Sequence, residues 1–272
     1  MFSWIRNCCF AVPFFVVCAL LASPSQAQNS EQMEVGPPPL HRVEPPAPGS
    51  TPEELEHRGD DLRSDKDFLD AVEFYEAAMR NTPPNASLYN KIGICYLMMR
   101  RDHDAKKSFE HAIKIDRKHA DAYNNLGVMY YEEHSYGTAI KDYEKAVSFN
   151  GEAASYYSNM GTAYFGKHQF EKAIQAYAKA VSLDPDIFDH SSHGGVQARV
   201  VSREDQAHYD YVMARLYARN GVADRSLHYL KKAMEEGYKD IKNVYKDQEF
   251  SSLRKDPRFT ELMASKTLAI PD

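Results

Sequence analysis

The sequence predicts an all-α fold built from short helical hairpins stacked side by side. The residue pattern of 120–153 recurs at a fixed period of 34 residues, before it over 86–119 and after it over 154–187. Within each period the apolar residues fall mostly at helical spacing in two runs, which indicates two amphipathic helices. Small residues also return at the same places in every unit. Because one such hairpin cannot bury its apolar face alone, the pattern predicts a stack with a continuous core.

Seven positions carry the repeat: an aromatic residue, an aliphatic residue, a glycine and a tyrosine in the first helix, then an alanine, an aromatic ring and an alanine in the second. In 120–153 they are Tyr123, Leu126, Gly127, Tyr130, Ala139, Tyr143 and Ala146. One period earlier they are Tyr89, Ile92, Gly93, Tyr96, Ala105, Phe109 and Ala112, and one period later Tyr157, Met160, Gly161, Tyr164, Ala173, Tyr177 and Ala180. A weaker unit over 52–85 keeps Leu55, Gly59, Leu62, Ala71, Tyr75, Ala78 and Pro83.

The glycine of each unit and the first alanine of its second helix carry almost no side chain. We therefore expect the two helix backbones to approach closely at these positions, with the large rings filling the remaining space. Replacing Gly127 with Leu should force the helices apart, at a cost of about 1–3 kcal/mol or more from overpacking.

This pattern resembles the tetratricopeptide repeat family, over roughly residues 52 to 236. Tyr replaces the usual first Trp, and the closing Pro survives only as Pro83 and Pro185, with Arg117 and Gly151 between them. The resemblance implies a right-handed α-solenoid with four units within 51–185, namely 52–85, 86–119, 120–153 and 154–187.

The chain before residue 51 has two segments of different character. Residues 1–27 carry one charge at Arg6, an apolar run over 8–22 and small residues before Ala27, which is the layout of a cleaved secretory signal peptide. An uncleaved signal anchor is the alternative. Residues 28–50 are rich in proline and predict a disordered linker. The folded part is expected to begin at Thr51 as an N-cap, with Pro52 first in the helix and Glu54 completing a capping box.

The register breaks after Pro185. Residues 186–206 predict an irregular insertion, 207–237 a fifth and divergent hairpin, and 238–272 a capping segment of short helices. The insertion contains His190 and His193, which are too few ligands for a metal site and are expected to be exposed to solvent.

Composition narrows the function. A net charge of −6 argues against a general nucleic-acid binder. Three of the four cysteines lie in the signal segment, so a processed chain keeps only Cys95 and can form no internal disulfide. We expect Cys95 to be a small buried core residue; a reactive or metal-binding thiol is the alternative. We find no motif for catalysis, a metal or a cofactor, and predict a chain that is not an enzyme.

The resemblance implies that the first helix of each unit lines a concave groove for a peptide or a partner helix. Carried over by position, the groove residues are Asn90, Lys91, Ile94, Asn124, Asn125, Val128, Tyr131, Ser158, Asn159, Thr162, Phe165, Tyr211, Arg215 and Arg219. Asn125 and Asn159 occupy the place where family members often bond the backbone of a bound peptide; plain repeat consensus is the alternative.

The ends of this groove differ in charge. Glu53, Glu56 and Asp60 lie toward one end, and Arg215 and Arg219 toward the other, so we expect a charge gradient that orients an extended partner. Acids at Glu56 and Asp60 argue against the Lys and Asn carboxylate clamp of some family members.

The sequence thus predicts an exported scaffold or adaptor, periplasmic or secreted, that binds a protein or peptide and has no membrane span once processed. It does not specify the partner or the oligomeric state. Two other classes stay open: an enzyme or metal-dependent component with a site in 186–206, and a self-assembling structural protein.

Overall fold

The computed structural model describes residues 43–80, 82–188, 198 and 203–265. The signal segment 1–27, most of the linker 28–50, and His190 with His193 lie outside the described residues. The described helices are α1 Pro52–Ser64, α2 Phe68–Ala78, α3 Ala86–Met98, α4 Asp102–Ile115, α5 Ala120–Glu132, α6 Tyr136–Phe149, α7 Ala154–Gly166, α8 Phe170–Leu183, α9 Arg203–Arg219, α10 Ala223–Glu235 and α11 Pro257–Ala264. Three short 3-10 segments, Ile241–Tyr245, Gln248–Ser251 and Leu253–Lys255, precede α11.

These helices pair into hairpins that stack in chain order, so the predicted all-α solenoid is confirmed. Each of the first four hairpins packs its two helices together and its second helix against the first helix of the next unit. Neighbouring first helices also contact one another, α3 with α5 and α5 with α7, and contacts between second helices are sparser. The first helices therefore form one face of the stack, which we call the first-helix face.

The start of α1 follows the predicted capping box. The Thr51 hydroxyl accepts a hydrogen bond from the Glu54 N–H at 3.2 Å, and the Thr51 N–H donates to the Glu54 carboxylate at 2.9 Å. Pro52 stands at the first helical position. Two N–H donors at the helix start are thereby satisfied, which favours a helix that begins at Pro52.

The glycines lie at close helix contacts, as predicted. A Cβ atom added at Gly127 would come within 2.5 Å of the Tyr143 ring, and one at Gly161 within 2.5 Å of the Tyr177 ring. Gly93 stands in the same relation to Phe109, and Gly59 to Tyr75. Each ring is fully buried in the space that the glycine leaves, so one glycine–ring contact closes each of the first four hairpins.

The turn inside each hairpin uses a left-handed residue. These residues are Lys66, Arg100, His134, His168 and, in the fifth hairpin, Gly221, with φ of 69°, 59°, 57°, 56° and 73°. The four side-chain-bearing residues recur at the repeat period, and the backbone geometry of the turn therefore repeats even where its sequence does not.

The fifth hairpin, α9 with α10, begins at Arg203, four residues before the predicted start at 207. The capping segment then covers its exposed core face. Phe250, Leu253 and Phe259 are buried against α9 and α10 in one cluster with Tyr217 and Leu230.

Cys95 is fully buried in the core between the first two hairpins, as expected for a structural residue. Burial raises its pKa to about 12, so the thiol is protonated at neutral pH. Among the helices of the described residues, none combines the length and the apolar character that crossing a bilayer requires.

Candidate functional site

Four asparagine side chains form a continuous hydrogen-bonded row across the first-helix face. They are Asn90 on α3, Asn124 and Asn125 on α5, and Asn159 on α7, and we call them the amide row. The Asn125 amide donates to Asn90 Oδ1 at 2.9 Å, the Asn124 amide to Asn125 Oδ1 at 3.3 Å, and the Asn159 amide to Asn124 Oδ1 at 2.9 Å. All four side chains are buried, between 1% and 6% exposed.

The row follows from the repeat itself. Each contact between units joins a donor to the acceptor 35 residues earlier, which is one repeat plus one position. The same rule joins Lys91 to Glu56, at 2.7 Å between Nζ and Oε1. An amide suits this place because it donates and accepts at once, so one residue type can continue the row through every unit.

The row ends on a main-chain group of the insertion. Oδ1 of Asn159 accepts a hydrogen bond from the backbone N–H of Ala198 at 3.1 Å. Ala198 is half-buried, and its side chain packs on a cluster that includes Val128, Tyr131 and Tyr143. Asn159 therefore binds a peptide N–H in this structure, and that N–H belongs to the same chain.

Lys91 offsets part of the negative charge at the acidic end of the first-helix face. Its Nζ lies 2.7 Å from Glu56 and 2.7 Å from Asp60, and Tyr75 donates to the other oxygen of Asp60 at 2.8 Å. Burial opposes ionisation of Asp60, but these hydrogen bonds outweigh it and lower its pKa. Lys91 is therefore held by acids of the first unit.

The apolar members of the predicted groove set are buried or half-buried. Ile94 is half-buried, Val128 and Tyr131 are buried, and Phe165 contacts the rings of Phe170 and His208 at 5.4 and 5.5 Å.

The polar members Ser158 and Thr162 are buried on α7. The Thr162 hydroxyl donates to the Ser158 carbonyl at 3.0 Å and accepts from the Tyr177 hydroxyl at 3.2 Å. These groups satisfy one another inside the fourth hairpin and help to fix α7 against α8.

The basic end carries less free charge than the sequence predicts. Arg215 donates to Glu249 at 2.6 Å and to Glu171 at 2.8 Å, and its Nε lies 3.6 Å from Asp247. Burial disfavours the guanidinium charge, but hydrogen bonds to Glu249 and Glu171 outweigh it and raise the pKa of Arg215. Tyr211 donates to Asp247 at 2.8 Å. Arg215 and Tyr211 thus hold the capping segment on α9.

Arg219 is exposed and lines a polar cavity of about 660 Å³ together with Lys246, Ser251 and Ser252. The expected gradient between acids and arginines is therefore reduced at both ends by internal ion pairs, and Arg219 keeps the most exposed charge of the basic pair.

One contributor, Ala198, was not singled out from the sequence, because it lies in the irregular insertion, where no periodic signal marks it. His208, which the repeat register of the sequence places in the groove of the fifth unit, packs 4.0 Å from Phe170 and 5.2 Å from Tyr238, measured between ring centres, and burial lowers its pKa. A spacing of one repeat plus one position between donors and acceptors is the signal that could have identified the amide row.

The described residues contain no group of three or more His, Cys, Asp and Glu side chains placed to hold a metal ion. The two histidines of the insertion lie outside that range. The metal hypothesis for 186–206 therefore stays untested.

The comparisons with known proteins agree with the repeat architecture. Models of the tetratricopeptide repeat match residues 86–119, 120–152 and 154–187. No curated protein sequence matches the chain.

Solved structures resemble the described fold. A crystal structure of MamA is 25% identical, with 65% of this chain and 93% of that chain covered and a TM-score of 0.45. YrrB, described as a TPR protein with an unusual peptide-binding site, is 19% identical over 67% of this chain and 84% of its own, at a TM-score of 0.44. TTC0263, a thermophilic TPR protein from Thermus thermophilus, is 16% identical over 75% of this chain and 99% of its own, at a TM-score of 0.48.

Proposed function

Because this chain is a tetratricopeptide-repeat protein, we propose that it is a non-enzymatic adaptor that binds an extended segment of a partner protein along the amide row. The observation that carries this proposal is the bond from a main-chain N–H to Asn159 Oδ1. An extended segment offers such N–H groups at regular spacing whatever its side chains are. The row presents amide groups in a fixed direction, and this supports binding of a backbone in one orientation.

The apolar neighbours of the row support the same proposal. Val128 and Tyr131 lie in one cluster against which the Ala198 side chain packs, so a bound segment would gain apolar contact beside its backbone hydrogen bond. Burial of the amides strengthens hydrogen bonds to them, since water competes poorly there.

The test is affinity capture with the full chain as bait and the Asn125→Ala/Asn159→Ala double variant in parallel. We expect a specific protein to be retained by the parent chain and lost with the variant. Asn220→Ala serves as the matched control, because Asn220 is exposed at the turn before α10. Equal melting temperatures and circular dichroism spectra must accompany the comparison. A partner retained equally by all three chains would exclude the amide row as its binding site.

Export to the cell envelope is part of the proposal and is supported by the composition of residues 1–27. Mass spectrometry of the protein purified from its natural host should give an N-terminus at Gln28. Because Trp4 is the only tryptophan, the processed protein should also show no tryptophan fluorescence. An N-terminus at Met1 would instead favour the signal anchor.

A further inference from the structure

The amide row changes its partner after α7. The first helices α3, α5 and α7 begin 34 residues apart, but α9 begins 49 residues after α7. On the earlier units, the acceptors at Asn90 and Asn124 are each filled by an amide from the next first helix. At Asn159 the acceptor is filled by Ala198, which belongs to the added stretch between α8 and α9.

We infer that Ala198 is an internal ligand of the amide row, so that a partner segment must displace it from Asn159. This inference rests on the proposed function and adds how the site is regulated and what it prefers. Two contacts of the same residue carry it: the N–H bond of 3.1 Å to Asn159, and the packing of its side chain on the cluster of Val128 and Tyr131.

The internal ligand also defines the class of external ligand. A segment that replaces Ala198 must present a free main-chain N–H at this position, so proline is excluded there. It must also place a small apolar side chain against the cluster that includes Val128 and Tyr131, on which the Ala198 side chain now packs. The preferred ligand is an extended peptide with alanine or a residue of similar size at the contact.

Competition within one chain is strong because the competitor is tethered. A short tether gives an effective concentration on the order of millimolar. A free peptide with the same intrinsic affinity must reach comparable concentration to occupy half of the sites. A cellular partner therefore has to make additional contacts along the row, or bind when Ala198 is withdrawn.

Ala198→Pro tests this directly because it removes the N–H donor outside any helix. Ala198→Gly is the matched control, since it keeps the donor. The probe is a fluorescent synthetic peptide with the sequence of residues 192–204, followed by fluorescence anisotropy against each full-length chain. We expect the proline variant to bind the probe at least 10-fold more tightly than the parent, and the glycine variant to stay within about 3-fold of the parent.

Two further binding measurements test whether the probe occupies the Asn159 site. Adding Asn159→Ala to Ala198→Pro should abolish the gain, and a probe with proline in place of the alanine should not bind. If the proline variant and the parent bind the probe equally, or if neither binds it at millimolar concentration, the inference is overturned.

A second measurement tests the hydrogen bond between Ala198 and Asn159 without any added peptide. Hydrogen exchange of the Ala198 amide, followed by NMR, should be at least 10-fold slower in the parent than in Asn159→Ala. Exchange at the rate of a free chain in the parent would overturn the inference even if a partner is captured through the row. Conversely, a protected Ala198 amide together with no captured partner would contradict the adaptor function but would agree with the internal contact between Ala198 and Asn159.

Discussion

The units of 86–187 and the fifth hairpin are both pairs of antiparallel helices, but they are joined to their neighbours by different chemistry. Between the regular units the buried polar contact is neutral, an amide donating to an amide at 2.9 Å, whereas the ion pair of Arg100 with Glu132 at 3.1 Å lies at the surface. Around α9 the contacts are charged: Arg215 binds Glu171 on α8 and Glu249 in the capping segment, and the buried Asp210 lies 3.4 Å from Lys232 on α10.

The difference follows from the period. Where consecutive units repeat, each helix meets a copy of itself, and an amide satisfies both sides of the contact without a charge. After 187 the helix faces no longer repeat, so donors and acceptors must be matched one by one. Charged groups can do this, but a buried charge is costly wherever one of its atoms is left unpaired. Unpaired buried atoms are indeed found there, on Asp210, Arg215 and Glu236.

The largest effect is expected from Gly127→Leu in the regular part. The new side chain would begin 2.5 Å from the Tyr143 ring, and neither helix can retreat without losing contact with its other neighbours. The free energy of unfolding should fall by about 3 kcal/mol or more, measured by urea denaturation. Gly137→Ala on the same hairpin is the control, since only the Lys167 ammonium, at 3.9 Å, is near. Equal losses for both variants would mean that the glycine–ring contact does not close the hairpin.

The second-largest loss of stability is expected when the charge of Arg215, which joins α9 to its surroundings, is removed. Arg215→Ala leaves Glu249 and Glu171 without their cation, and we expect a loss of about 2–3 kcal/mol in unfolding free energy. Lys231→Ala, which breaks an exposed pair of 3.7 Å with Glu235, should cost less than about 0.5 kcal/mol. The capping segment should also lose hydrogen-exchange protection in Arg215→Ala. If its protection is unchanged, Arg215 does not hold this segment.

Asp210 should make the fifth hairpin sensitive to pH. Burial raises the pKa of this carboxyl to about 6 from 3.8, even though Lys232 acts in the opposite direction. Because the folded pKa is the higher one, the folded state binds the proton more tightly, and stability falls as the pH rises from about 4 through 6. Asp210→Asn carries no charge and should be about 1–2 kcal/mol more stable than the parent at pH 8, with the difference shrinking toward pH 4.

Urea titrations at both pH values measure this effect, and a difference that does not depend on pH would contradict the assignment. Asp224→Asn provides a matched control, because the Asp224 side chain is largely exposed on the same hairpin.

The smallest effect is expected at the buried tyrosine hydroxyls of two regular units, Tyr143 and Tyr177. The Tyr143 hydroxyl has no hydrogen-bond partner in the described part of the chain, whereas the Tyr177 hydroxyl donates to Thr162. The residue that faces the ring explains this, because the equivalent of Thr162 in the third unit is Val128. Burial raises the pKa of both tyrosines, so neither ionises at neutral pH.

Tyr143→Phe should therefore stabilise the fold by about 1 kcal/mol, and Tyr177→Phe should destabilise it by about the same amount. Thermal unfolding of both variants measures the pair of shifts. Val128→Thr is expected to remove the benefit of Tyr143→Phe, because it supplies the missing partner. Losses of equal size for Tyr143→Phe and Tyr177→Phe would show that the Tyr143 hydroxyl is satisfied in solution.

Sequence and structure agree where contacts repeat. The positions of Gly93, Gly127 and Gly161 predict close helix approach, since a small residue and a large ring recur together at one period. Contacts of the non-repeating part were not predictable in this way. Arg215 looks like a free positive charge in the sequence, because its partner Glu249 lies in a 3-10 segment with no counterpart in other units.

For the candidate site, the sequence supplies positions but no geometry. Family resemblance selects Asn125 and Asn159, yet it does not reveal that they belong to one hydrogen-bonded row. Nor does it indicate that Ala198 reaches Asn159, because an irregular segment carries no register from which its path could be derived.

The constant direction of the amide row gives the stack two unlike ends and a rule for lengthening it. A duplicate of residues 120–153 inserted after position 153 would bring a new Asn125 opposite the original Asn124, and a new Asn124 opposite Asn159. Every oxygen would again meet an amide, so modules of this sequence can be added without designing a new junction. Shortening the stack from its C-terminal side would instead leave the asparagine Oδ1 of the last unit without a donor from the next helix. Only a foreign donor or water could then bond to it.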